Sequence, residues 1–448
     1  MVIAINKPHP DDAHKRAYAL APIDLAQGNS HIMFVYFYEN KRGLSNFMPT
    51  DVLFKGFLQA ANHFSILLGY LESDTKHGTV LMDNANPNVP HFEEKHSDSH
   101  FNALAKHNYH WDKWPLGLDT QDIVEQQAGK IPLLSTLLMR FADNSGVALR
   151  VKIRHSVMDG NGFTLFMNIW SSSIYTGKPS TCNPDTEFIY NASFDFDRSA
   201  LLSAANYITT TNNIKLDGKK SQAPADNSTG SHLLAKRLHR MHIIRFSANA
   251  LDRLKVDFSP NDGTISINDA LTSLLWRAYA RTSSKATNAH LMLACDIRKR
   301  IALLSNYMGN ASFPLRLEMK QEHLLNSFGH TIASEIRKIV SSVDKKYVHE
   351  CLAFLDLQEP IADAEKWYND KSSFFCTTNC SRFSFYKTDF GFGCPEKVLV
   401  PHYLTPGFSI WVPTKESRGI DAILSTFDKC FEKLSIDAEL LKYGQIIL

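Results

Sequence analysis

His155 and Asp159 stand four residues apart in the run Arg154-His155-Ser156-Val157-Met158-Asp159-Gly160, the one H-x-x-x-D-G in this chain. Imidazole has an unperturbed pKa near 6.5, so a histidine can take a proton from a weakly acidic group near neutral pH and hand it on. With 19 histidines in 448 residues, roughly one H-x-x-x-D arises by chance, and the added glycine cuts that to about one in twenty. Two uses of the pair compete. In one, His155 is a general base; in the other, His155 is structural and Asp159 caps the helix that follows. Ser156 is a third chemistry, a hydroxyl nucleophile beside a base, but nothing in the motif sets it up for that role.

The elements around the pair decide what it can face. Val147, Leu149, Val151 and Ile153 alternate with polar or small residues, which predicts a strand ending just before His155. Beyond Gly160 the period changes, with Phe163, Phe166, Met167, Trp170 and Ile174 at helical spacing and Gly177 as a stop. The pair therefore belongs on a strand-to-helix turn, where a polar group can face a cavity. Gly160 lets the backbone turn tightly or approach a ligand closely.

A second constellation is Asp389-Phe390-Gly391-Phe392-Gly393, preceded by Ser381-Arg382-Phe383 and Tyr386. Two glycines among aromatics beside an aspartate predict a tight, shaped turn in which Asp389 is paired and not catalytic. No G-x-x-x-x-G-K-[ST] or G-x-G-x-x-G occurs, so no nucleotide fold of those kinds is expected.

Composition narrows the class. Hydrophobic residues make up 44% and charged residues 21%, as in soluble globular proteins, and the length allows two ordinary domains. Lys and Arg (48) nearly balance Asp and Glu (46), so nucleic acid is not an expected partner. The first ten residues lack the basic-then-apolar pattern of a secretory signal, and no apolar run is long enough to span a bilayer. Seven scattered cysteines without a C-x-x-C pair, only Cys376 and Cys380 lying close, predict reduced thiols in a cytoplasmic protein. His91, His96, His100, His107 and His110 are irregularly spaced with no cysteine beside them. They read as a solvated, partly helical surface segment, and no metal site is expected.

Further elements follow from period and capping. Strands are expected at Ile32 to Tyr38, His242 to Phe246 and Leu291 to Cys295, and a core-facing helix from Asp51, as cap, to Leu71. Ser247 caps a helix carrying Leu251 and Leu254, and Ser266 with Asp269 forms a capping box for the next. Long amphipathic helices are expected around Leu324 to Val343 and around Ile420 to Leu434. Residues 209–231 are poor in apolar side chains and read as a crossover linker between residues 1–208 and 232–448. The fold class is α/β.

At this point the chain resembles the BAHD family of acyl-CoA-dependent acyltransferases, whose signatures are H-x-x-x-D and D-F-G-W-G. Other stretches match in order: Ile23-Asp24, Phe141 to Leu149, Ser266 to Arg277, Asp296-Ile297-Arg298-Lys299-Arg300 and Tyr307-Met308-Gly309-Asn310. The resemblance implies two similar chloramphenicol-acetyltransferase-like domains with mixed sheets, joined by a crossover loop, and a channel between them with His155 midway. It implies acyl-CoA as co-substrate, a small-molecule acceptor, no permanently bound cofactor and a monomer. His155 would be the general base, and Asp159 would turn away to pair with Arg298 and shape the loop. Asp389, Gly391 and Gly393 would support the site structurally, as would Gly160. The sequence departs from the family twice. Thr378-Asn379-Cys380 stands where T-S-W is frequent, so the indole donor to a developing oxyanion is missing, and Thr378, Asn379, Cys380, a backbone N–H or water would replace it. Phe392 stands for the tryptophan of D-F-G-W-G, keeping an aromatic but losing its N–H. A carrier-protein-dependent condensation enzyme and a non-catalytic binding relative are the alternative readings; Arg154 stands where the first histidine of the former's H-H-x-x-x-D-G would be.

Overall fold

The computed structural model describes residues 15–27, 30–72, 79–83, 90–119, 132–174, 239–260, 265–283, 286–303, 307–357, 373–401, 404–416 and 418–447. The first half runs β1 (Lys15–Ala19), α1 (Pro22–Leu25), β2 (His31–Glu39), α2 (Thr50–His63), β3 (Tyr70–Glu72), β4 (Thr79–Asp83), β5 (His91–Ser97), α3 (Phe101–Lys106), β6 (Leu134–Phe141), β7 (Gly146–Arg154) and α4 (Gly160–Ile174). The second runs β8 (His239–Phe246), α5 (Ala248–Asp257), α6 (Ile267–Thr282), β9 (Asn288–Asp296), β10 (Ser312–Lys320), α7 (Gln321–Asn326), α8 (Gly329–Ser341), α9 (Lys345–Leu357), β11 (Phe374–Asn379), β12 (Lys397–Leu399), β13 (Phe408–Pro413), β14 (Ile420–Phe427), α10 (Asp428–Leu434), α11 (Ala438–Leu441) and β15 (Gln445–Ile446).

The architecture is α/β with two mixed sheets. A five-stranded sheet has the order β12-β2-β7-β6-β5, a seven-stranded one β10-β9-β11-β13-β14-β8-β15, and β1, β4 and β3 form a small third sheet. β7 lies between β2 and β6, with Ile153 opposite Ile32 and Val147 opposite Tyr38. Every residue of β7 is buried. Its rigid end delivers His155 to the sheet rim, where the backbone N–H of His155 donates to the carbonyl of Ser30 at 3.0 Å. α4 starts at once and buries Phe163, Phe166, Met167 and Trp170. β12 follows the D-F-G-F-G turn and pairs with β2 of the five-stranded sheet, Val398 opposite Tyr36. The chain thus hands an edge strand from its second half to the sheet of its first.

Capping chemistry behaves as read. The Ser247 hydroxyl accepts from the N–H of Ala250, and Ser266 and Asp269 exchange both bonds of a capping box at the start of α6. Other expectations need correction. α2 starts at Thr50 after Pro49, puts Asp51 in its first turn and ends at His63. Ile420 to Phe427 is a strand, and only Asp428 to Leu434 is helical. β14 is buried on both faces, Ala422 and Leu424 in one core and Ile423 in the other. A short run that is apolar throughout carries no period by which to tell strand from helix. The helix around Leu324 to Val343 is two helices, broken at Ser327 and Phe328, because the guanidinium of Arg277 takes the carbonyls of Leu324 and Ser327 that a continuous helix would use internally. Of the histidine-bearing segment, His91 and His96 lie on β5, and its helical part is α3, between His100 and His107. Cys394 is disulfide-bonded, against the expectation of reduced thiols throughout; Cys295, Cys351, Cys376, Cys380 and Cys430 are free. Residues 209–231 and Gly177 lie outside the described residues. Among the described residues no helix is long and apolar enough to cross a membrane.

Candidate functional site

His155 sits where β7 ends and is largely buried. Its Nδ1 lies 3.1 Å from Oδ1 of Asn310, in the loop before β10. The amide of Asn310 is oriented by its other end: Nδ2 donates to the backbone carbonyl of His155 at 2.7 Å and to Oδ1 of Asp24 at 2.8 Å. Both partners are acceptors, so both amide hydrogens are committed and the oxygen must face the imidazole. An oxygen facing Nδ1 requires the proton on Nδ1. The Nε2 lone pair is then bare, the form in which imidazole acts as a base. Burial pushes the pKa of His155 below the ordinary histidine value, against the opposing pull of its own backbone carbonyl, Asp159, Asn310 and Asp24. Neutral imidazole is the resting form at pH 7.

Asp159 does two jobs at the turn. Its Oδ1 accepts from the N–H groups of Asn161 (3.1 Å) and Gly162 (3.3 Å), capping the start of α4. The same carboxylate meets the guanidinium of Arg298, Nη2 to Oδ1 and Nη1 to Oδ2 both at 2.9 Å. Oδ2 also accepts from Ala311 N–H at 3.1 Å. Arg298 adds bonds to the carbonyls of Gly309 and Tyr307, and its backbone N–H donates to Asp296. The pairing is buried on both sides, Asp159 being 5% and Arg298 7% exposed. It fastens the Tyr307 to Ala311 loop, and with it Asn310, against the His155 turn. Asp24 and Asn310, legible in the sequence only as members of matched stretches, are the residues that orient the imidazole.

Gly160 has a reason the sequence did not supply. A Cβ on it would come within 2.6 Å of the Phe383 ring. The glycine makes room for an aromatic of the second half, not for a positive φ. Phe383 also meets Phe385, which packs on Phe34 of β2, and Ser384 exchanges a bond with Asn168 of α4. Farther along, Gly391 and Gly393 adopt φ of +88° and +111°, the left-handed region that glycine alone takes freely. Oδ1 of Asp389 accepts from both their N–H groups, at 2.7 and 2.9 Å. Phe390 packs on Tyr38 and Trp170, and Phe392 on Phe47. These bonds and rings anchor the turn to the first half's core.

Thr378 and Asn379 close β11, and Cys380 follows it directly. Thr378 and Cys380 share a strand face, and the Cys380 thiol interacts with the Thr378 hydroxyl and feels the charge of Asp159. Burial pushes that thiol up to about 12, so it is protonated and a poor nucleophile at neutral pH. The amide of Asn379 is engaged, donating to Asn268 and accepting from Ser381 N–H. The Ser156 hydroxyl is buried with no hydrogen-bond partner among the described residues, so no serine–histidine bond activates it. Among the described residues no group of three His, Cys, Asp or Glu is placed to hold a metal.

A base with a bare nitrogen, fixed at the rim of a sheet, can take a proton from an attacking group and return it to a leaving one. The comparisons agree in kind. The model of the Transferase family matches residues 4–441. An O-acyltransferase, pigD, of Monascus ruber is 27% identical over 219 residues, 45% of this chain and 48% of that protein, so the match spans about half its length. Diaboline synthase of Strychnos sp is 24% identical over 351 residues, 73% of this chain and 68% of that protein. Among solved structures, TRI101 of F. sporotrichioides, complexed with coenzyme A and T-2, superposes with a TM-score of 0.71 at 17% identity, covering 97% of this chain and 100% of that one.

Proposed function

The chain belongs to the Transferase family, that of the BAHD-type acyl-CoA-dependent acyltransferases, and on that premise we propose that it moves an acyl group from a CoA thioester to the hydroxyl of a small metabolite. The acceptor oxygen attacks the thioester carbonyl while Nε2 of His155 takes the hydroxyl proton. The C–O bond forms, the C–S bond breaks, and CoA leaves as a thiolate that collects the proton held on His155. Atoms balance as alcohol plus acyl-CoA giving ester plus free CoA thiol. The depressed basicity of His155 keeps it neutral before the step and makes its imidazolium acidic enough to return the proton. Proton transfer by a positioned base contributes roughly 10²–10⁴-fold.

The observation that carries this reading is the Asn310 oxygen at His155 Nδ1, which leaves Nε2 bare. Asp159, Arg298 and Gly160 act by holding the turn, and Asp389, Gly391 and Gly393 by shaping the turn whose aromatics pack into the first half's core. Thr378, a backbone N–H or water remain to meet the oxyanion, since the amide of Asn379 is held by Asn268 and Ser381 and Cys380 is buried. Direct transfer is supported over an acyl-enzyme by the inert thiol of Cys380 and the unactivated Ser156. The reading takes the protein as a cytoplasmic monomer of secondary metabolism that needs acyl-CoA as co-substrate and no resident cofactor. Its domains are residues 1–208 and 232–448, joined by 209–231.

The test is release of free CoA thiol from a panel of aliphatic and aromatic acyl-CoAs against pooled alcohols and amines. Acceptor-dependent release is expected; its absence with every donor would overturn the reading.

A further inference from the structure

The imidazole of His155 is oriented by an amide that is itself held from a distant part of the chain. Asp24 lies in α1, is 0% exposed and is 286 residues from Asn310. Its Oδ1 accepts from Nδ2 of Asn310 at 2.8 Å and from the Asn310 N–H at 3.3 Å, while Oδ2 accepts from the N–H of Ala21 at 2.9 Å. Two of those bonds grip one asparagine from both its side chain and its backbone. The short segment that carries Asp24 continues through Gln27 to Ser30, whose carbonyl accepts from the N–H of His155. One segment of about ten residues therefore holds the histidine by its backbone and, through Asn310, by its ring.

We propose that Asp24 is a positioning residue for this reaction, acting on His155 through Asn310. The proposal rests on the acyl-transfer reading for its rate effect, but not for its effect on the histidine itself. The carboxylate fixes where the Asn310 amide sits and, by accepting from Nδ2, which way it faces. A turned amide would offer Nδ2 to the imidazole, draw the proton to Nε2 and remove the bare lone pair. Charge adds a second influence. The groups that act on His155 are its own carbonyl, Asn310, Asp24 and Asp159, the last already paired with Arg298, and both carboxylates favour the imidazolium.

Two substitutions separate geometry from charge. Asp24→Leu removes every acceptor and leaves three buried N–H groups without that partner. Asp24→Asn keeps an oxygen for Asn310 and removes the charge. For Asp24→Leu, kcat is expected to fall roughly 10- to 100-fold, as when a supporting hydrogen-bond partner of a site ligand is lost, with KM for acyl-CoA little changed. Asp24→Asn should recover much of kcat while the acid limb of kcat/KM moves to lower pH. An NMR titration of His155 in wild type and Asp24→Asn should show the same downward move without any substrate. A wild type with no acyl transfer would sink the functional reading and leave this titration as the deciding arm. If Asp24→Leu does not fold, the Asp24→Asn profile decides. A full-rate enzyme with unmoved acid limb and unmoved His155 titration would overturn the proposal.

Discussion

The carboxylate of Asp159 and the guanidinium of Arg298 meet as a two-pronged ion pair, both contacts at 2.9 Å, across 139 residues of sequence. The aspartate of the H-x-x-x-D motif therefore points away from the imidazole it accompanies, and its partner belongs to the turn after β9. Removing one member of such a buried pair leaves the other charge without compensation, at a cost of about 3–5 kcal/mol. Arg298→Met should lose stability on that scale in urea denaturation. Arg298→Lys, which keeps the charge but not the fork, should lose less. A stable, fully active Arg298→Met would mean that the pair does not hold the His155 turn.

The pH profile follows from the sign of the His155 shift. Its basicity in the folded protein lies below the ordinary histidine value of 6.5 because burial disfavours the charged ring. kcat/KM should be level at neutral pH and fall on the acid side with a midpoint below 6.5. Stability carries the same sign. The unfolded chain binds the proton more readily than the folded one, so the contribution of neutral His155 is present above the ordinary value and is lost as pH falls. His155→Gln should flatten that part of the acid-side loss. An acid limb above the ordinary value would contradict the assignment of burial as the dominant influence.

Gly160 and Phe383 make a steric prediction. With a Cβ 2.6 Å from an aromatic carbon, Gly160→Ala should destabilise by about 1–3 kcal/mol, the usual effect of overpacking. Phe383→Leu should relieve much of that in the double variant. Thermal melting of the four proteins checks the coupling; additive losses would show that the two residues do not meet.

Cys380 should behave as a buried, protonated thiol. At pH 8 it should resist iodoacetamide while the folded protein's partly exposed Cys430 is modified. Cys380→Ala should keep kcat within about tenfold of wild type, since no covalent intermediate forms on it. A larger loss, or an acyl adduct in the intact mass after incubation with acyl-CoA alone, would reopen the covalent route.

Much of this site could be read from the chain because its parts are local. The strand before His155 shows in the alternation of Val147 to Ile153, and the helix after it in the spacing of Phe163 to Trp170. The capping box at Ser266 and Asp269 is a three-residue signal. What stayed hidden is non-local or featureless. Nothing near His155 announces Asn310 or Asp24, because the contacts join residues 155 and 286 positions apart. The pairing of Asp159 with Arg298 is legible only through the family resemblance, since one sequence leaves a solvated arginine open as well. Gly160 could be marked as special, but only the structure names Phe383 as the cause. The sequence of β14 passes for part of a helix because a strand buried on both faces has no polar side to betray its period.

The central claim is that His155 removes the acceptor's proton in a direct transfer. It is tested most directly by the turnover of His155→Ala against wild type at saturating acyl-CoA and acceptor, with CoA binding measured on both. Loss of kcat by roughly 10²–10⁴-fold with CoA affinity retained is the result expected of an absent general base. Turnover within a few-fold of wild type would show that another group, or none, takes the proton.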